Sequence, residues 1–164
     1  MLLYNNTSVT FVNLSPDTVA ALSAHPNIVG LKDSNGDVGQ VAATIARVPP
    51  AFTLLVGSAA TLFPSMMVGA AGGIIAVANV VPDVCVKLYD LVRAGKYDEA
   101  RLLQRRLTPL AQAVTGGYSI PGLKVAMEFA GYVGGDVRRP LRPAKPEARE
   151  VLARLYEELM DPRG

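Results

Sequence analysis

The sequence predicts an α/β fold built on a parallel sheet, and three observations point to it. Short apolar runs alternate with helix-patterned stretches through residues 1–95. The runs are continuously apolar, as strands covered on both faces of a parallel sheet are. Four such β-then-α units follow one another before the pattern changes to helices alone. The expected layout is therefore (βα)4 over residues 1–95 and a helical C-terminal section over residues 96–164.

Each element has its own signal. "MLLY" is a short apolar strand, and "LSPDTVAALSAH" opens as a helix, with Ser15 as N-cap, Pro16 at the first helical position and Asp17 in the first turn. "IVGLK" is the second strand. "GDVGQVAATIARV" sets Val38, Val41, Ala42 and Ile45 on one helical face. "FTLLVG" leads to a proline-containing helix in "AATLFPSMMVGA". "GGIIAVAN" is the fourth strand, and "VPDVCVKLYDLVRAG" is a helix ending near Gly95. Three further helices are expected in "KYDEARLLQRRLTPLAQAV", "PGLKVAMEFAG" and "PEAREVLARLYEELM". The proline-rich "RRPLRPAKP" serves as the extended linker before the last of them.

The totals exclude several classes. A chain of 164 residues, half of them apolar, builds one good core and is neither disordered nor fibrous. The net charge of +2 is spread out, and Arg101, Arg105 and Arg106 read as a solvated helix face, so no nucleic-acid partner is expected. Cys85 is the only cysteine and His25 the only histidine. No intrachain disulfide can form, a reducing cytoplasmic setting is expected, and a His/Cys metal site is not. His25 precedes a proline at a helix end and reads as structural. The N-terminus lacks the basic and apolar regions of a signal peptide. The uncharged stretch from Val48 to Pro82 is broken by prolines and glycines into strands and a helix, so no membrane span is expected.

In parallel α/β folds, chemistry gathers at the C-terminal ends of the strands. Here those ends are Tyr4-Asn5, Lys32-Asp33-Ser34, Gly57-Ser58 and Asn79. A lysine closing an apolar strand has two readings. It is either a nucleophilic amine, made less basic by apolar surroundings and able to form a Schiff base, or a side chain snorkelling to water. Tyr4 is either a proton shuttle beside Lys32 or a tyrosine with one wet end. Ser34, two residues beyond Lys32, faces the same side if the strand continues. Gly57-Ser58 opens a helix whose free N–H groups suit an anion.

Taken together, Tyr4-Asn5, "HPNIVGLKDSNGD", "LLVGSA" and "GAAGGIIAVANVVP" resemble the dihydrodipicolinate synthase/N-acetylneuraminate lyase family of class I aldolases. The resemblance runs on through "IPGLKVAMEFAGY". It implies the C-terminal half of a (β/α)8 barrel, followed by the helical section. It also implies that Lys32 forms an imine with pyruvate or another 2-oxo acid, and that Tyr4 relays protons. Gly57 and the backbone of Ile74 match positions that line the substrate pocket, with Ser34 and Ser58 beside them.

Within the family, "KDSNGD" and "VGSA" are most similar to 4-hydroxy-2-oxoglutarate aldolase. Dihydrodipicolinate synthase, or a non-catalytic half-barrel that binds small molecules, is the alternative. No cofactor or metal is implied, because the iminium is the electron sink; a homo-oligomer is. Thr7 stands where the family carries proline. The first four βα units of the family have no counterpart in these residues. With them go the loop that binds the pyruvate carboxylate and a second relay tyrosine. The expectation is the C-terminal part of an aldolase, present as a fragment, through a misplaced gene start, or as a true half-barrel.

Overall fold

A computed structural model describes residues 1–161. Four parallel strands, β1 (Leu2–Asn5), β2 (Gly30–Asp33), β3 (Thr53–Val56) and β4 (Gly72–Gly73), form one sheet in chain order. Helical crossovers join them. α1 (Thr7–Thr10) and α2 (Pro16–Ser23) follow β1, and α3 (Val38–Ile45) follows β2. A 3₁₀ turn at Ala59–Thr61 and then α4 (Leu62–Met67) follow β3. Successive parallel strands joined in this way are the topology of half a (β/α)8 barrel. Beyond β4 come α5 (Pro82–Arg93), α6 (Tyr97–Gln112), α7 (Ser119–Phe129) and α8 (Pro146–Met160). Contacts group the chain into two compact units, Met1–Ile75 and Ala76 onward.

The helix starts follow their sequence signals. Ser15 caps α2, its hydroxyl accepting from the Thr18 N–H at 3.2 Å, with Pro16 at the first position. Asp37 caps α3, accepting from the Gln40 N–H at 2.9 Å. Gly36, at φ +76°, supplies the left-handed step that turns the chain from β2 into that cap. At the end of α2, His25 Nδ1 accepts the Asn27 N–H at 3.1 Å. In the second unit Leu88, Leu107, Leu110 and Leu152 are completely buried.

The sheet departs from the sequence reading in two ways. Its strands are covered on one face only. Leu31, Leu54 and Val56 point to the covered face and are buried, as are Val19 of α2, Val41 of α3 and Leu62 of α4. Leu2 and Tyr4 point the other way and are exposed, on the side that forms the interior of a complete (β/α)8 barrel. The fourth strand is also much shorter than "GGIIAVAN". It pairs only as Leu55↔Gly72 and Val56↔Gly73, with the Ile74 N–H donating once more to Val56 O at 2.9 Å. β3 ends at Val56, so the ladder has no further partner and Ala76–Asn79 turns as a 3₁₀ segment instead.

Two free sheet edges, at β1 and β4, flank the uncovered face. Edge strands and contiguous apolar surface recruit other chains. The isolated 164-residue polypeptide should therefore self-associate. Sedimentation velocity at micromolar concentration checks this, and a folded monomer there would count against it.

Candidate active site

The register of β1 against β2 makes Tyr4 the partner of Lys32 and Asn5 the partner of Asp33. Because side chains alternate along a strand, Tyr4 and Lys32 share the open face while Asn5 and Asp33 share the covered one. The Lys32 ammonium lies 4.6 Å from the centre of the Tyr4 ring, over its face. Lys32 is partly buried; its near neighbour is an aromatic ring and not the wholly apolar wall expected from the strand. The reason is again that the open face is the less covered one.

Ser34 completes the group. Its hydroxyl donates to the Tyr4 phenol oxygen at 3.4 Å, and Asn6 Nδ2 donates to the same oxygen at 3.1 Å. The Ser34 bond is the largest influence holding the Tyr4 phenol below its ordinary value of 10.0; slight burial opposes it, and the Asn6 bond and the Lys32 charge add to it. Donors aimed at the oxygen favour the phenolate, the form that accepts a proton. Gly57 is the floor of this arrangement. A Cβ there would overlap the Ser34 hydroxyl and lie 2.8 Å from the Ser34 Cβ. Only glycine permits so close an approach.

Removing the Ser34 hydroxyl should therefore raise the pH at which Tyr4 ionises. In an ultraviolet difference titration, Ser34→Ala should shift the Tyr4 component towards the value of a free phenol. Tyr4→Phe identifies that component by deleting it. An unmoved component in Ser34→Ala would show that the bond does not govern the phenol.

Of the six candidate positions, Tyr4, Lys32, Ser34 and Gly57 are thus drawn into one cluster. Ser58 is held elsewhere. Its Oγ lies near Gly36 in the loop after β2, 3.5 Å from where a Cβ on that glycine would sit. Its backbone carbonyl accepts from Thr61 in a three-residue 3₁₀ turn that leads into α4, so the segment Ser58 opens begins as 3₁₀. Ile74 is half exposed, with its N–H engaged by the ladder.

The sequence reading missed a polar layer directly behind the cluster. Asn5 and Asp33 are buried and joined at 3.0 Å, with Asn13, Asn35 and Gln40 around them. Strict alternation along each strand was the available signal. The residue after Tyr4 or Lys32 has to enter the covered side, where a polar group needs partners. Thr7 belongs to the same layer. Its N–H and its hydroxyl both donate to Asn35 Oδ1, at 2.9 and 2.8 Å. A proline at this position would have no N–H to give.

Among the described residues no three His, Cys, Asp or Glu side chains gather as a metal-ligand set, and no helix is long and apolar enough to cross a membrane.

Comparison with known proteins bears on the fold and the family. A 4-hydroxy-tetrahydrodipicolinate synthase of Methanoculleus marisnigri is 39% identical over 142 residues, covering 86% of this chain and 49% of its own. The crystal structure of a dihydrodipicolinate synthase from Bacillus anthracis superposes with a TM-score of 0.90 at 29% identity, over 95% of this chain and 53% of its own. A prophage protein of the dihydrodipicolinic acid synthase family from E. coli K12, solved in complex with pyruvate, superposes at 0.87 with 28% identity. It covers 96% of this chain and 55% of its own. The chain therefore spans about half the length of the relatives it matches, as a partial barrel followed by helices. The model of the Dihydrodipicolinate synthetase family matches residues 1–159, and the chain belongs to that family.

Proposed function

We propose that this chain carries the Schiff-base residues of a class I lyase acting on a 2-oxo acid. The observation that carries the reading is the juxtaposition of the Lys32 amine, the Tyr4 ring and the Ser34 hydroxyl at the C-terminal ends of parallel strands. The neutral amine of Lys32 adds to the ketone carbon of the 2-oxo acid and water leaves, forming a protonated imine. In the cleavage direction, the iminium takes up the electron pair of the breaking carbon–carbon bond and an aldehyde departs. The resulting enamine is protonated, and hydrolysis of the imine releases pyruvate. Tyr4, next to the amine and hydrogen-bonded to Ser34, carries the protons in these steps.

For the finer reaction we favour cleavage of 4-hydroxy-2-oxoglutarate, on the resemblance of "KDSNGD" and "VGSA". Synthesis of 4-hydroxy-tetrahydrodipicolinate is the second reading, favoured by the names of the curated relatives. Protein made from the intact gene should release pyruvate from 4-hydroxy-2-oxoglutarate, measured by coupled reduction of the pyruvate. The isolated 164-residue chain should do so weakly or not at all, since no residue in it replaces the family's carboxylate-binding loop. Faster condensation of pyruvate with aspartate semialdehyde would select the synthase. Turnover of neither substrate, with no borohydride-trapped adduct, would sink the lyase and leave a non-catalytic half-barrel. The reading also includes a cytoplasmic homo-oligomer.

A further inference from the structure

Behind the reacting pair lies a carboxylate that the chemistry above does not use. Asp33 is only 3% exposed, and the partners found for it among the described residues are neutral donors. Its Oδ1 accepts the Asn35 N–H at 2.8 Å. Its Oδ2 accepts from Asn5 Nδ2 and from Gln40 Nε2, each at 3.0 Å. A buried charge without a cation is tolerated only where several donors converge on it.

The three donors cannot reverse their roles. Asn5 Oδ1 is occupied by the Leu14 N–H at 3.1 Å, which turns its amide nitrogen towards Asp33. Gln40 Oε1 is occupied by Asn13 Nδ2 at 2.8 Å, which does the same for Gln40. The Asn35 donor is backbone, and backbone N–H groups only donate. The network is thus polarised towards position 33 and calls for an acceptor-only group there. An ionised carboxylate is that group; an amide is not.

The connections reach both strand ends. Asn13 Oδ1 gathers Nδ2 of Asn5 at 2.8 Å, Nδ2 of Asn35 at 3.2 Å and Nε2 of Gln40 at 3.2 Å. Asn35 in turn holds Thr7, the first residue of α1. The Asn35 N–H bonded to Asp33 Oδ1 closes an Asx turn around Ser34, which lies between them and presents its hydroxyl to Tyr4.

We propose that Asp33 is a positioning residue: its carboxylate, through Asn5, Asn35 and Gln40, locks the ends of β1 and β2 together and aims Ser34 at Tyr4. The inference rests on reading Tyr4 and Lys32 as the reacting pair, but its test needs no substrate. The ring-carbon resonances of isotope-labelled tyrosine report ionisation residue by residue, and Tyr4→Phe assigns the Tyr4 signal.

In Asp33→Asn, an amide NH₂ faces donors, the Asx turn loosens and Ser34 swings away. The Tyr4 midpoint should then rise towards that of Ser34→Ala. A residue that merely stabilised the fold would lower the melting temperature and leave the Tyr4 titration of the folded protein where it was. If Asp33→Asn does not fold, Gln40→Met takes its place, keeping the apolar body and removing one donor; a smaller rise is expected. An unmoved midpoint in whichever of these folds overturns the proposal. A moved midpoint, together with no pyruvate adduct in unsubstituted protein made from the intact gene, keeps the positioning role and discards the lyase.

Discussion

No borohydride-stable pyruvate adduct should form once Lys32 is replaced by alanine or arginine. In the unsubstituted protein with a complete site, peptide mass spectrometry should find the adduct on Lys32 alone. Imine formation needs a free amine beside the bound ketone, and the other lysines stand elsewhere. Lys87 is on α5. Lys96 pairs with Glu99 at 3.4 Å, and Lys124 donates to Gly134 O at 2.6 Å. Lys145 precedes α8. Arginine keeps the positive charge over the Tyr4 ring but cannot form the imine, so Lys32→Arg separates chemistry from electrostatics. An adduct on any other lysine, or one that survives in Lys32→Ala, would remove Lys32 from the reaction.

Tyr4→Phe should cut turnover about 10²- to 10⁴-fold, the usual contribution of a positioned proton carrier. Pyruvate affinity should change far less. The phenyl ring still offers its face to the Lys32 ammonium, 4.6 Å from the ring centre, and only the oxygen that receives the Ser34 and Asn6 hydrogen bonds is lost. Steady-state and single-turnover kinetics on protein with a complete site make the distinction. Because the Tyr4 phenol is held below its ordinary value, the unsubstituted protein should lose turnover on the basic side as rising pH removes the Tyr4 proton, and the variant should lack that limb. Unchanged turnover would return Tyr4 to a tyrosine with one wet end.

Much of the site was legible because local chemistry spells it out. A strand closing on lysine, a tyrosine closing the strand before it, and a Gly-Ser step after the third strand are all visible in sequence order. The partner of each was not visible. That Tyr4 meets Lys32 is decided by the β1–β2 register, and a shift of one residue would set Tyr4 against Asp33 or Leu31. Ser58 looked equivalent to Ser34 as a hydroxyl at a strand end. Yet the turn after β3 carries it to Gly36, while Gly57 packs on Ser34. Ionisation is likewise tertiary: two hydrogen-bond donors, one on the next strand's exit, act on Tyr4.

By itself the sequence determined the α/β class, the order of the four βα units, and the cap at Ser15. These depend on apolar runs, helical periodicity and a side-chain-to-backbone bond that spans three residues. It also carried the family resemblance and the two residues on which the proposed chemistry rests. Only the tertiary structure decided where β4 stops, which face of the sheet is left open, and what stands behind Tyr4 and Lys32. β4 stops because its partner ends at Val56, a fact that lies outside its own residues. The face carrying Leu2 and Tyr4 is open because covering it takes chain beyond these four strands. The Asp33 layer assembles residues from two strand ends, two loops and a helix. Beyond the local Asx turn, hydrogen bonds between residues 7 to 28 positions apart hold it together, and no local pattern encodes those pairings.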